Sequence, residues 1–279
     1  MPEQQPTRVA QITSRSNPKI KSIRALQHRK TRQKTGTYLV EGIHHVGEAV
    51  EAGAQIEAIY YAPDLLKSEY AFNLIKNQTS SGVPCYPTST DVFASITAKE
   101  NPQGILIVVR QLESKLVDLA PHNFPWGVAL VSPQDPGNLG TILRTIDAVG
   151  ASGLLLIDAG IDPYHPSAVR ASMGTIFWYP VVKSSLTDFR SWVQEHNYHV
   201  YGTSASGDTD YLSVGRYELP CILLMGSERQ GLSHEYTQLC EQVISLPMVA
   251  RASSLNLGVA AGVLLYSMRE KINHEPGVQ

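Results

Sequence analysis

Short apolar runs alternate with amphipathic stretches over the C-terminal half of the chain. Beyond residue 125, six largely apolar runs predict β-strands: GVALV, GLLLID, YPVV, HVYGTSA, CILLMG and QVISLP. Helical patterns separate most of these runs, and this alternation predicts an α/β domain whose mainly parallel sheet has helices on both faces. The last segment, SSLNLGVAAGVLLYSMREKI, predicts a long helix with small residues on one side.

The N-terminal part carries a smaller version of the same alternation. Residues 16–34 predict one helix, since a proline suits its first turn and isoleucine and leucine recur on one face. Farther along, TYLVEG and IEAIYYAP predict strands, IHHVGEAVEAG predicts a helix, and the segment 83–110 adds a strand, a helix and a last strand. We therefore expect a small α/β domain over 1–110, a proline-containing linker over 111–125 and the larger domain over 126–279.

Composition favours a folded protein of the cytoplasm. The chain has 279 residues, of which 43% are hydrophobic and 17% charged, a balance typical of globular rather than disordered proteins. Its polar start does not fit a secretory signal, and the longest weakly polar stretch, 255–268, is shorter than a membrane span. Three scattered cysteines match neither a disulfide framework nor a CxxC metal pattern. We expect a reducing, cytoplasmic environment and no membrane partner.

Charge is distributed unevenly along the chain. The net charge is −2, yet residues 1–34 contain nine Lys or Arg and one acid, while the rest contains 14 basic and 24 acidic residues. A basic segment at one end of a mildly acidic protein favours docking of a polyanion there. The alternative is a solvated terminal helix that only tolerates its lysines.

Three polar turns follow three of the predicted strands: DPGNLGT (135–141), GSERQGLS (226–233) and PMVARASSLN (247–256). In a parallel sheet such turns gather at the carboxyl ends of the strands, where α/β proteins bind ligands. The chain has no GxGxxG, no GK[ST], no GxSxG and no histidines with metal-ligand spacing, which argues against a dinucleotide, a P-loop nucleotide, a serine hydrolase and a metal. A ligand without phosphates, such as S-adenosylmethionine, suits these loops better.

The same turns carry a resemblance to a known family. The segments NLGTILRT (138–145), MGSERQG (225–231) and LPMVARASSLNLGVA (246–260) resemble the three signature motifs of the SpoU family of RNA ribose 2′-O-methyltransferases, within the SPOUT superfamily. Between the first two, HPSAVRASMG (165–174) resembles a further family segment. The N-terminal stretches YLVEGIHHVGEAVEAG and NPQGILIVV resemble the substrate-binding domain of two-domain ribosomal RNA members. The resemblance covers nearly the whole chain.

The resemblance implies a fold and a reaction that patterning does not give. It implies a trefoil-knotted C-terminal domain, S-adenosyl-L-methionine as methyl donor without a metal, and a homodimer with the active site beside the interface. The implied activity is methylation of a ribose 2′-hydroxyl, with 23S ribosomal RNA as the substrate and the N-terminal domain as the RNA-binding part. Two alternatives stay open: a transfer RNA substrate, and a non-catalytic RNA-binding or ribosome-assembly protein.

Single residues also receive roles from the resemblance, and each has a plainer alternative. Arg144 is expected to act on the ribose hydroxyl, as a base or, since guanidinium stays protonated, as a cation that binds phosphate and stabilises charge; its alternative is a surface salt bridge. Asn138, Ser254 and Asn256 are expected at the catalytic centre, and their alternative is helix capping. Glu228 is expected to order this cluster, and its alternative is a carboxylate in a helix first turn.

Donor and RNA contacts complete the expected site. The donor is expected on the backbone near Gly226, Leu246 and Leu255, with Leu224 and Met248 as apolar walls. RNA is expected on basic side chains of the N-terminal segment and of the segment between the first two motifs: Arg15, Lys19, Lys21, Arg24, Arg29, Lys30, Arg32 and Arg170.

Overall fold

Two β-sheets divide the chain between them. The computed structural model describes residues 10–251 and 253–272. Its contacts divide the chain into a first unit, Met1–Gln111 with Tyr164–Pro166, and a second unit, Leu112–Pro163 with Ser167–Gln279. Each unit contains one sheet with helices, so the chain has the α/β class that the apolar pattern predicts.

The first unit is built on a four-stranded mixed sheet. Its strand order is β1-β4-β2-β3, in which β4 pairs antiparallel with β1 and β2, and β3 pairs parallel with β2. The elements are α1 Pro18–Ala25, α2 Arg29–Thr35, β1 Thr37–Glu41, α3 Ile43–Glu51, β2 Ile56–Tyr61, α4 Glu69–Ser80, β3 Cys85–Pro87, α5 Thr90–Ala94 and β4 Ile105–Arg110. The helix α4 is an addition to the sequence-based expectation.

The basic N-terminal segment forms two helices where the sequence predicts one. The first helix ends at Ala25, with Leu26 as its C-cap. Arg32 of the second helix turns back onto that end, and its Nη1 donates to the carbonyl oxygens of Leu26 and Gln27 at 2.8 and 2.9 Å. Carbonyls at a helix end lack partners within the helix, so the guanidinium satisfies them. Arg32 is 1% exposed, and its prediction as an RNA contact is therefore wrong.

A seven-stranded sheet forms the centre of the second unit. The strand order is β7-β6-β5-β10-β8-β11-β9, and every pairing is parallel. The strands are β5 Trp126–Val131, β6 Leu154–Ile157, β7 Val181–Ser184, β8 His199–Thr203, β9 Thr209–Asp210, β10 Cys221–Met225 and β11 Gln242–Ser245. The helices are α6 Pro136–Val149, α7 Pro166–Ala171, α8 Leu186–Glu195, α9 His234–Thr237 and α10 Leu257–Lys271. All six predicted strands are present, and β9 adds a seventh.

In the segment 111–125, expected as a linker, Leu119 and Phe124 are buried in the core of the second unit. Phe124 is fully buried in the same apolar cluster as Trp192. The Trp192 Nε1 donates to the carbonyl oxygen of Leu119 at 2.9 Å, and the Tyr198 hydroxyl donates to that of Phe124 at 2.7 Å. These contacts anchor the segment to the second unit at two points, while eight of its residues are exposed. Its prolines mark irregular structure rather than a free connection.

Sheet order decides which loops meet. Because β10 lies between β5 and β8, and β8 lies beside β11, the carboxyl ends of four adjacent parallel strands share one edge. The helix α6 starts from the loop after β5, and α10 packs against α6. In the part of the chain that the structure describes, none of the helices is long and apolar enough to cross a membrane.

Candidate active site

A cavity of about 490 Å³ lies at this shared edge. Its wall combines the ends of β8, β10 and β11 with the start of α10, and so joins residues from four separate parts of the sequence. Leu246, Met248, Leu257 and Leu264 supply apolar surface, whereas Thr203, Ser204, Glu228 and Ser254 supply polar groups. Mostly apolar concavities with a few convergent polar groups are typical of small-molecule sites.

Four of the five expected donor-binding residues line this cavity: Gly226, Leu246, Met248 and Leu255. Leu224 does not, because neighbouring residues of a strand point to opposite faces of the sheet. It is fully buried in the core cluster that includes Trp192. Met225, the next residue of β10, lines the cavity instead. The structure therefore does not bring Leu224 to this cavity with the other four residues.

Gly226 is required by a close approach of the backbone. A Cβ on this residue would lie 2.1 Å from the carbonyl carbon of Gly231, a separation that no side chain tolerates. The loop returns on itself here, since the Gly231 N–H donates to the carbonyl oxygen of Ser227 at 3.0 Å. A turn this tight leaves bare backbone N–H and C=O groups at the cavity wall.

A line of hydrogen bonds joins the three motifs. The Asn256 Nδ2 donates to Asn138 Oδ1 at 2.9 Å, and the Asn138 Nδ2 donates to Glu228 Oε1 at 3.1 Å. At one end, Asn256 Oδ1 accepts from the backbone N–H groups of Gly258 and Val259, at 2.9 and 3.3 Å. These bonds connect residues that are 90 and 118 positions apart in the sequence.

The bonds of the line fix each group's orientation. Because Asn256 Oδ1 faces the N-terminus of α10, its Nδ2 has to face Asn138, whose own Nδ2 then faces the carboxylate. The second carboxylate oxygen of Glu228 accepts from the backbone N–H of Gln134 at 3.3 Å. Glu228 is therefore held at both oxygens, at the cavity wall and beside the start of α6.

Helix capping and a place in a helix first turn are the alternative roles of Asn138, Asn256 and Glu228. Asn138 does not cap α6, because Asp135 does so by accepting from the Gly137 N–H at 2.8 Å. Glu228 lies in a turn and not in a helix. Asn256 is the cap of α10 and is also a member of the line. Capping thus accounts for only part of what Asn256 does.

Two expected catalytic residues stand outside the line. Ser254 is exposed and lines the cavity. Arg144 is exposed in the middle of α6 and makes no hydrogen bond or ion pair with any residue that the structure describes. It lies six positions after Asn138, which corresponds to about 9 Å along the helix axis. The surface salt bridge is absent over the described ranges, and the catalytic role of Arg144 stays a prediction.

The cations expected to bind RNA lie in different surroundings. Arg24 is half-buried and donates to the carbonyl and hydroxyl oxygens of Ser95. Arg15 forms an ion pair with Asp91 at 3.5 Å, which solvent weakens because both side chains are exposed. Six of the eight side chains are exposed: Arg15, Lys19, Lys21, Arg29, Lys30 and Arg170.

Sequence reasoning missed the polar end of β8. Thr203, Ser204 and Ala205 line the cavity, and the run HVYGTSAS contains the signal, since its polar residues directly follow an apolar strand. Strand order supplies the missing step, because it puts β8 between the two strands whose turns carry motif-like residues.

Two of the cysteines of the second unit, Cys221 and Cys240, have perturbed thiols. Burial raises the pKa of Cys240 to about 11 and also raises that of Cys221, so both thiols are protonated and poor nucleophiles at neutral pH. Over residues 10–251 and 253–272, no group of three or more His, Cys, Asp or Glu side chains is placed to hold a metal ion.

Family models match both parts of the chain. The model described as the SpoU rRNA Methylase family matches residues 125–266, and the model described as an MRM3-like substrate binding domain matches residues 17–107. The chain belongs to the SpoU rRNA methylase family. The SpoU match covers all three motifs, the hydrogen-bonded line and the cavity.

Individual relatives are similar to this chain along nearly the whole length of both proteins. The chain is 33% identical over 260 residues to the 23S rRNA (guanosine(2553)-2′-O)-methyltransferase RlmP of Bacillus subtilis, covering 93% of this chain and 99% of that protein. It is 31% identical over 271 residues to the 23S rRNA (uridine(2479)-2′-O)-methyltransferase of Streptomyces viridochromogenes, covering 94% and 93%. The AdoMet-bound rRNA methyltransferase from Sinorhizobium meliloti matches with a TM-score of 0.86 and 34% identity, over 94% of this chain and 98% of that one.

Proposed function

We propose that this protein is an S-adenosyl-L-methionine-dependent RNA methyltransferase that methylates a ribose 2′-hydroxyl of 23S ribosomal RNA. The observation that carries the proposal is the line Glu228–Asn138–Asn256 at the wall of a cavity formed by three adjacent strand ends. The two curated relatives are both named as 23S rRNA 2′-O-methyltransferases, and they act on different nucleotides. The nucleotide that this protein modifies is thus not transferred from them.

The residues of the cavity fit the methyl donor. Gly226 leaves backbone exposed where a Cβ would fill the space, Leu246 and Met248 give an apolar slot for the adenine ring, and Leu255 closes the side toward α10. A bound S-adenosyl-L-methionine supplies a sulfonium-activated methyl group, so the protein itself needs no strong nucleophile of its own. What the chain has to do is orient the ribose and stabilise charge.

We assign the polar line to orientation and Arg144 to charge. The line holds Glu228 in one position between α6 and the start of α10, and so presents a fixed set of oxygens and N–H groups at the cavity wall. The guanidinium of Arg144 stays protonated, so it binds the phosphate of the reacting nucleotide and favours negative charge on the ribose oxygen. A phosphate oxygen of the RNA accepts the hydroxyl proton.

RNA binding is assigned to the first unit. Its exposed cations Lys19, Lys21 and Lys30 suit a phosphate backbone, and residues 17–107 match a substrate-binding family model. Such contacts position the RNA without reading its sequence. A ribosomal RNA substrate also puts the enzyme in the cytoplasm, where ribosomes are made.

Two further features of the family complete the proposal. We expect the loops that enclose the cavity to form a trefoil knot and two copies of the chain to associate through α10. Val259, Val263 and Tyr266 recur on one side of this helix and are 53, 37 and 49% exposed. A row of exposed apolar side chains on a packed helix favours a protein interface.

Two measurements test the function. Calorimetry of the purified chain should show saturable binding of S-adenosylmethionine and of its demethylated product without added metal, and no heat with NAD. Mapping of 2′-O-methyl sites in RNA from cells with and without the gene should show one site lost from 23S rRNA. Binding of NAD with no response to either adenosyl ligand would overturn the proposal. Loss of a transfer RNA site instead would keep the chemistry and change the substrate.

A further inference from the structure

A second cavity, of about 380 Å³, lies within the first unit. It is bounded by α1 and by the strands β2, β3 and β4, and its size falls in the range of about 300–1,000 Å³ typical of small-molecule sites. Lys19, Ser22, Thr37, Glu57, Tyr60 and Tyr86 bring polar groups or rings to its wall. Of these residues, only Lys19 has a role in the function proposed above, as a cation for the RNA backbone.

Two tyrosine rings and a lysine form one side of this cavity. The ring centroids of Tyr60 and Tyr86 are 5.1 Å apart. The Lys19 ammonium lies 4.5 Å from the centroid of the Tyr86 ring and donates to its hydroxyl at 3.1 Å. Such a contact is weak at an exposed site, so Lys19, which is exposed, can release the ring to a ligand and turn to an anion.

Tyr60 brings a hydroxyl to the wall of this cavity. Tyr60 is 5% exposed and lines the cavity, and its hydroxyl makes no hydrogen bond with any residue in the described ranges. Burial, with a smaller contribution from Tyr86, raises the pKa of Tyr60 to about 12, so the group is a hydrogen-bond donor at neutral pH. A hydroxyl that lines the cavity and donates to no described residue is available to a ligand there.

A hydrogen-bond acceptor lies in the same wall. The Thr35 hydroxyl donates to the carbonyl oxygen of Thr31 at 3.0 Å and lies 2.8 Å from the hydroxyl of Thr37. Since the Thr35 proton is already used, Thr37 is the donor in this pair, and a lone pair of its oxygen is left as an acceptor. Glu57 adds little net charge, because it is ion-paired with Arg110.

We propose that this cavity holds one unpaired nucleobase of the RNA substrate, stacked on Tyr86 and hydrogen-bonded along its edge to Tyr60 and Thr37, with Lys19 on a neighbouring phosphate. The inference rests on the proposed function in that the substrate is RNA. Bases inside a duplex are stacked and paired, so a base that enters comes from a loop or a bulge. The pocket thereby gives the first unit a means of recognising RNA shape beyond its charge.

The probes are two fluorescently tagged pentaribonucleotides, one with a central 2-aminopurine and one with a central abasic ribose. With the full chain, the fluorescence of 2-aminopurine should fall on binding, because stacking on an aromatic ring quenches it. The abasic probe should bind at least about 5-fold more weakly, the lower end of the range for one stacked base. Tyr86→Leu should reduce the affinity for the 2-aminopurine probe by the same factor and leave the affinity for the abasic probe unchanged.

Tyr60→Phe tests the edge contact and has a matched control. Loss of one hydroxyl should reduce the affinity for the 2-aminopurine probe by about 3- to 10-fold. Tyr61→Phe removes a hydroxyl from the next residue of β2, which does not line the cavity, and should change nothing. Tyr86→Phe keeps the ring and should retain most of the affinity, so a folding defect of the leucine variant is separable from loss of stacking.

Donor titration separates this inference from the proposed function. The donor cavity belongs to the second unit, so every variant above should bind S-adenosylmethionine as the unchanged chain does. Equal binding of the two probes, with no effect of Tyr86→Leu or Tyr60→Phe, overturns the base pocket and leaves the methyltransferase intact. Base-dependent RNA binding without any donor binding overturns the enzyme and leaves the pocket.

Discussion

Asn256 makes a helix-capping contact and a contact between motifs with one side chain. Its oxygen caps α10, and its amide N–H donates to Asn138. Asn256→Ala should lose both contacts and destabilise the protein by ~0.5–2 kcal/mol. Asn256→Ser keeps a capping oxygen but cannot reach Asn138 with an amide, so its stability should stay near that of the unchanged chain while turnover falls. Thermal unfolding and methylation rates for both variants test this separation. Equal turnover of the serine variant and the unchanged chain would reduce Asn256 to a cap.

Arg144 is a cation for which the described residues provide no partner. If it stabilises charge during methyl transfer, Arg144→Ala should lose roughly 10²- to 10³-fold in turnover with little change in donor affinity. Arg144→Lys should recover little, because a single ammonium does not reproduce a planar fork on phosphate. Single-turnover methylation together with calorimetry checks both statements. Near-normal methylation by the alanine variant would make this arginine a surface residue.

At the scale of elements, what is local in sequence is predicted well. Apolar runs give all six long strands of the second unit, and glycine-rich turns mark the loops after β10 and before α6. The structure does not bring Leu224 to the cavity because the face that a strand residue points to depends on its neighbours in space. The prediction of a single helix over 16–34 fails for a similar reason. The break between α1 and α2 depends on the hydrogen bonds from Arg32 to two carbonyl oxygens.

The candidate site shows the same limit more clearly. Its motifs are visible in the sequence, but the order in which Asn256, Asn138 and Glu228 bond is not, because the partners are about a hundred residues apart. The contribution of β8 needs the strand order β10-β8-β11, which no periodicity reveals. Resemblance supplied the identities of these residues, and only the structure supplies their contacts.

The loop after β10 depends on one glycine. Gly226→Ala would bring a Cβ to within 2.1 Å of Gly231, so the loop has to move and the cavity wall moves with it. A steric misfit of this kind costs ~1–3 kcal/mol, and donor affinity should fall about tenfold or more. Gly215→Ala is the matched control, since open space surrounds its Cβ position. Calorimetry with S-adenosylmethionine compares the two, and equal affinities would show that the loop tolerates the change.

Across the whole molecule, charge is expected to act through the first unit. If about five phosphates are contacted, RNA affinity should fall with salt at a log–log slope of about −3.5. Deleting the basic segment is a poor test, because Ile20, Ile23 and Leu26 of this segment are buried in the core. Replacing the exposed Lys21 and Lys30 with glutamine removes charge alone, and the slope should flatten by about 1.4 when both lysines contact phosphates.

The control for this salt experiment carries the same charge change elsewhere in the unit. Lys67→Gln with Lys76→Gln also neutralises two exposed lysines. The salt dependence of RNA binding by this double variant should have the same slope as that of the unchanged chain. RNA affinity measured at several salt concentrations compares the three proteins. If the two double variants have identical slopes, the N-terminal helices are solvated surface and RNA binds elsewhere.

Assembly is the remaining property of the whole molecule. Val259, Val263 and Tyr266 follow the spacing of one helix face and are exposed on α10, and burial of such a stripe between two copies would stabilise a homodimer. Sedimentation should therefore show a dimer that Val263→Glu converts to monomer, since a carboxylate in an apolar interface is costly. Val117→Glu, at a position 82% exposed, should leave the dimer intact.

Because the expected active site lies beside this interface, the monomeric variant should also lose methylation while it keeps donor binding. If the unchanged chain is monomeric at all concentrations, the expected homodimer is contradicted.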